Sequence, residues 1–112
     1  MDLSSQKCVP CQIGAPTLKG DELKKYFDSV LDWEGIEGDT KISKDFEFKN
    51  FSEALEFINK IAKLAESEGH HPDLRLHDFK FVEVILWTHK IGGLHQNDFI
   101  LASKISKLVS SK

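Results

Sequence analysis

The chain has 112 residues, 40% of them apolar and 29% charged, which is material for one core and not for two. Its 15 basic and 18 acidic residues leave a net charge of −3, and the basic ones are scattered. That argues against a phosphate-tracking stripe and direct nucleic-acid binding, and no run approaches the roughly 20 apolar residues that span a bilayer.

Met1-Asp2-Leu3-Ser4-Ser5 has neither a basic start nor a long apolar run, so no secretory signal is expected and a cytoplasmic location follows. Residues 1 to 17 are rich in Gly, Pro, Ser and Cys and lack periodicity; they read as a flexible N-terminal arm outside the core, with residues 18 to 112 as a single domain. Cys8-Val9-Pro10-Cys11 has a spacing that serves a metal or a redox pair, but no second pair completes a zinc site. A reduced thiol pair on the arm is the plainer reading.

From Lys19 the pattern tightens. Asp21 can cap a short helix with Leu23, Phe27 and Val30 on one face. Trp33 to Glu37 reads as a short strand and Gly38-Asp39 as a turn. In the strand from Lys41 to Lys49, Ile42, Phe46 and Phe48 share one face, with Lys44 as an exception near an edge. Asn50 and Glu53 form a capping box for the longest helix. Phe51, Ala54, Leu55, Ile58, Ala62 and Ala65 are its expected core stripe, and Phe57, Ile61 and Leu64 a flank that is either deeper core or an oligomer interface.

Gly69 stops that helix, and Pro72 forbids its resumption. Asp73 to His77 is a short strand with Leu74 and Leu76 inward. Phe79 to Thr88 is a longer one, with Phe79, Phe81, Ile85 and Trp87 against Val82, Val84 and Leu86. A strand apolar on both faces belongs mid-sheet, so either a partner subunit or a bound aromatic ligand is expected to cover the face the helices leave open. After the Gly92-Gly93 loop, a helix from about Asn97 to Val109 carries Ile100, Leu101, Ile105 and Leu108. The order α-β-β-α-β-β-α describes an α+β two-layer sandwich, a four-stranded antiparallel sheet with helices on one face.

If the last two strands form a hairpin, its turn near Asp78 lies at one end of the sheet. His70, His71 and His89 then converge at the other. Imidazoles exchange protons near neutral pH, so such a cluster suits acid–base chemistry. Three histidines and a carboxylate would also suit zinc. Against a metal, adjacent histidines rarely reach one ion together, and there is no His-x-His or His-x-x-x-His pair. No serine stands in a nucleophile elbow, and neither cysteine is near the histidines in sequence. His77 and His95 fall outside the cluster, and Trp87 reads as core.

Glu66, separated by three residues from His70-His71-Pro72, together with Phe79, His89 and Asp98, resembles the pattern of the pterin-4a-carbinolamine dehydratases. Trp87-Thr88-His89-Lys90-Ile91-Gly92-Gly93-Leu94 is similar to the run in bacterial-type members, and the resemblance extends from about Leu18 to Ile105. It implies a lyase that removes water from 4a-hydroxytetrahydropterin, giving quinonoid dihydropterin in tetrahydrobiopterin recycling, with no metal or organic cofactor. It implies catalytic roles for His70, His71 and His89, and substrate-binding roles for Glu66, Pro72, Asp73 and Asp98. His70 and His89 would flank the pterin and His71 would mainly hold it, with acid and base roles left open among them. A homodimer or homotetramer is implied as well. The alternative, by the example of animal relatives, is a non-enzymatic dimerisation cofactor of a transcription factor. Two positions depart from the family. His95 stands where members commonly carry the Thr of a Thr-x-x-Asp helix cap, leaving Asn97 as the expected cap. Leu74 stands where animal members have Trp.

Overall fold

The alternation of apolar residues from Lys41 onward becomes the central ladder of the sheet. In a computed structural model that describes residues 3–8 and 17–110, β2 (Lys41–Glu47) pairs antiparallel with β1 (Glu34–Ile36) on one side and β4 (Phe81–Leu86) on the other. The edge strand β3 (Asp73–His77) pairs antiparallel with β4, giving the order β1-β2-β4-β3. Ile42, Phe46, Val82, Val84 and Leu86 point to one face and are buried under the helices. The expected four-stranded antiparallel α+β arrangement is thus observed, with β4 inside the sheet. Lys44 is the first residue of β2 that short β1 leaves unpaired, and its ammonium reaches Asp32 at 3.0 Å.

The helices are α1 (Gly20–Ser29), α2 (Phe51–Glu68) and α3 (Gln96–Ser110). Asp21 lies in the first turn of α1 without capping it; Lys19 holds the N-cap position with no side-chain bond. Asn50 caps α2 as expected, its side chain accepting from the Glu53 N–H at 2.9 Å, while Glu53 reaches one residue further back, to the Lys49 N–H at 3.3 Å. α3 is buried nearly all round its first half, through Phe99, Ile100, Leu101, Ala102 and Ile105.

The buried face of α2 differs from the expected stripe. Ala54, Phe57, Ile61 and Ala65 are its buried residues, whereas Phe51 is 49% and Leu55 40% exposed and Ala62 is exposed. The helix is rotated toward what looked like its flank. Phe57 supplies the reason, because its ring meets both Phe46 of β2 and Phe48 just beyond that strand, each with centroids 4.8 Å apart. An aromatic pair outweighs what Leu55 would bury in that place.

Three other expectations are corrected. Phe79 is not in a strand but in the β3–β4 turn, 62% exposed and at φ 56 beside Asp78 at φ 48. Leu3, assigned to an arm outside the core, is 2% exposed and packs in the core cluster from a short 3₁₀ turn, Leu3–Ser5, laid against α3. Leu74 faces the helix side opposite Val84 yet remains 37% exposed, since β3 is the sheet edge.

The sheet face away from the helices carries Phe81, Ile85 and Trp87, all half-buried. Their shielding comes from the chain's own charged neighbours. Arg75 pairs with Glu83 at 2.8 Å, His77 stacks on Phe81 with centroids 5.3 Å apart, and the Lys41 ammonium lies 4.5 Å from the Trp87 ring centroid. Aliphatic stems and cations over rings cover part of this apolar surface. Among the described residues, no helix is long and apolar enough to cross a membrane.

Candidate active site

α2 ends where Gly69 adopts φ 66, a left-handed conformation that an L side chain rarely takes. The Gly69 N–H and the His70 N–H both return to the Ala65 carbonyl, closing a left-handed glycine C-cap. His70 is therefore placed by the helix end itself. The β3–β4 hairpin then carries the chain to the far edge and back. Beyond β4, a Thr88–Gly93 bridge closes a 3₁₀ turn, His89–Ile91, held by Gly92 at φ 63. His89 thus belongs to that turn rather than to the strand, but it stands at the sheet end expected for it.

These segments enclose a pocket of about 490 Å3 lined by Cys8, Glu68, Gly69, His70, His71, Trp87, Thr88, His89, Lys90 and Asn97. All three histidines singled out from the sequence line it. Asp98 acts through one of them: it is fully buried, and its Oδ1 accepts from His70 Nε2 at 2.6 Å. Its Oδ2 accepts from the Thr88 hydroxyl at 2.8 Å and the His95 N–H at 3.0 Å. A carboxylate only accepts, so the proton of neutral His70 sits on Nε2 and Nδ1 is left as its basic nitrogen. Asp98 also lies in the first turn of α3, where the helix dipole favours a negative charge.

His71 is held similarly but in the open, its Nε2 3.0 Å from Glu66 Oε1, with side chains 60% and 78% exposed. Glu66 therefore sits at the rim. Pro72 and Asp73 are not among the lining residues; Asp73 accepts instead from Trp87 Nε1 at 3.4 Å. His77 is at the opposite end of the sheet, where hydrogen bonds to Asp45 and then Asp78 raise its pKa. Among the described residues, no group of three or more His, Cys, Asp or Glu side chains has a metal-holding arrangement.

His95, not Asn97, caps α3. Its Nδ1 accepts the Asn97 N–H at 3.1 Å while Asp98 takes the His95 N–H, so the pair reproduces a capping box with imidazole in place of a hydroxyl. Burial lowers the pKa of His95, keeping it neutral, as an accepting nitrogen requires.

Several wall residues went unread in the sequence. Thr88 carried a signal, being a hydroxyl on the apolar face with Val82, Val84 and Leu86, where a buried polar group needs a partner. Cys8 carried none. Its N–H donates to Glu68 Oε1 at 2.8 Å, Glu68 pairs with Lys104 at 3.6 Å, and so Cys8 becomes part of the pocket wall. Burial, followed by the Glu68 charge, pushes the Cys8 thiol up to about 12, and the same backbone bond lowers the pKa of Glu68. Cys11 lies outside the described residues.

The family model for pterin 4 alpha carbinolamine dehydratase matches residues 16–108. The chain belongs to that family. Provisionally named pterin-4-alpha-carbinolamine dehydratases match it over nearly the whole length. One from Alkaliphilus metalliredigens is 44% identical over 95% of both chains, and one from Saccharophagus degradans is 47% identical over 96% of both. A crystal structure described as a transcriptional coactivator/pterin dehydratase from Brucella melitensis superposes with a TM-score of 0.76 at 29% identity, covering 83% of this chain and 98% of the other. The histidine-walled pocket thus sits in the fold of a carbinolamine dehydratase family member.

Proposed function

We propose that this chain is a hydro-lyase that dehydrates 4a-hydroxytetrahydropterin to quinonoid dihydropterin and water, serving tetrahydrobiopterin recycling. The observation that carries this reading is the trio of imidazoles around one pocket, two backed by carboxylates and the third, His89, without a hydrogen bond to its ring among the described residues. The reaction breaks the C4a–O bond and removes the N5 proton, so an acid must protonate the departing hydroxyl while a base takes the N5 proton. His70, basic at Nδ1, and His89 supply these two roles. His71, tied to Glu66 at the rim, holds the substrate. Transient ultraviolet absorbance of freshly generated carbinolamine, with and without the protein, tests this. Acceleration is expected, and decay at the spontaneous rate would sink the proposal.

A protein-binding role in the manner of a coactivator is the second reading. It rests on the Brucella melitensis relative's description and on exposed Phe51 and Leu55, two apolar residues one helical turn apart on α2. We assign that row to a homo-oligomer contact first, a self-association compatible with a cytoplasmic enzyme that touches neither nucleic acid nor membrane. Leu55→Ser is expected to remain folded by circular dichroism while shifting sedimentation to a smaller species. A wild type that sediments as a monomer would overturn the assignment.

A further inference from the structure

Two of the three pocket imidazoles are oriented by carboxylates, which leaves open what orients the third. The His89 ring makes no hydrogen bond among the described residues, and its partner is aromatic. Its centroid lies 4.0 Å from that of Trp87, with the planes 32° apart. Trp87 is itself tethered, its Nε1–H donating to Asp73 Oδ2 at 3.4 Å and the Lys41 ammonium lying 4.5 Å from its ring centroid. Strand β2 provides Lys41 and β3 provides Asp73, so the indole is held from both sides of the central strand.

We infer that Trp87 is the positioning residue for His89, an indole platform doing for this ring what Asp98 does for His70. This rests on the dehydratase reading for its kinetic consequence, though not for its geometry. A carboxylate partner would occupy one ring nitrogen and fix the tautomer. Stacking restrains the plane of the ring and leaves both nitrogens available, so His89 can donate a proton from one and regain it at the other. The indole face also favours the imidazolium that forms if His89 receives a proton during turnover. Asp73 then acts two steps from the chemistry, through Trp87 and His89.

Fluorescence and kinetics together test the inference. A stacked imidazolium quenches indole emission, so tryptophan fluorescence in a Trp33→Phe background should show a quenching step on acidification. That step should vanish in His89→Gln. Trp87→Ala should lower kcat roughly tenfold through a misplaced catalytic ring. Trp87→Phe, which can still stack, should recover most of that loss, and Asp73→Asn should lie between Ala and wild type. Circular dichroism would establish that each variant is folded. A quenching step that survives His89→Gln, or a folded Trp87→Ala at wild-type kcat, would overturn the inference. If the wild type itself does not accelerate dehydration, the dehydratase reading fails, and the fluorescence step still decides whether the stack exists in solution.

Discussion

Replacing His89 by alanine is expected to reduce kcat/KM for carbinolamine dehydration by about 10²–10⁴-fold, the usual contribution of a well-placed acid or base. His70→Ala should fall in the same range, because it removes the ring whose Nδ1 is left unprotonated by donation of Nε2–H to Asp98. The two act on one elimination, His70 from the end of α2 and His89 from the turn after β4. Their losses should therefore not multiply, and the double variant should settle at the spontaneous rate. His77→Ala is the control. That ring is bound to Asp45 and Asp78 at the far end of the hairpin, so its loss should change the rate by no more than about twofold. Stopped-flow absorbance separates these cases, and a His89→Ala protein that turns over like wild type would show the acid–base assignment to be wrong.

Asp98 should respond differently to two substitutions. Asp98→Ala strips the acceptor from the Thr88 hydroxyl, the His95 N–H and His70 at once. Each buried group left unsatisfied costs about 1–3 kcal/mol. A loss of roughly 3 kcal/mol or more is then expected in urea unfolding, a large part of the 5–15 kcal/mol typical of a domain. Asp98→Asn keeps an oxygen for Thr88 or His95 but turns an NH2 group toward His70. Nε2 must then accept, which forces the proton onto Nδ1 and removes the basic nitrogen from the site. The Asn variant should fold with a smaller stability loss yet lose at least about 10²-fold in kcat, following the tautomer penalty seen when a triad carboxylate becomes an amide. An Asp98→Asn enzyme with unchanged kcat would mean that the tautomer of His70 is irrelevant.

Much of this architecture was legible because local signals and global arrangement agreed. Gly69 and Pro72 announced a helix stop in front of His70, and the hairpin geometry alone put His89 at the same end of the sheet. The rotation of α2 was not legible. Phe51 and Leu55 continue the same helical period as Phe57 and Ile61, so periodicity could not choose between two overlapping apolar stripes. Only the positions of Phe46 and Phe48 across the interface decide it. Phe79 misled for the opposite reason, being an apolar residue in a turn whose backbone needs positive φ. The roles of Asp73 and Trp87 escaped because they depend on which residues stand across β4 from one another, a register that no single strand encodes.

The imidazole cap on α3 has a consequence for how the protein meets acid. Burial holds the pKa of His95 below the ordinary 6.5, so the neutral ring supports the fold above that value. The support is lost as pH falls through the lowered pKa, because the unfolded chain takes up the proton first. A protonated His95 can no longer accept the Asn97 N–H, and it brings a positive charge to the positive end of a helix. The same turn holds Asp98, the anchor of His70. Acidification therefore loosens the scaffold of the pocket at its own hinge point, giving this chain a built-in lower limit of pH that a threonine cap, which does not titrate, would lack.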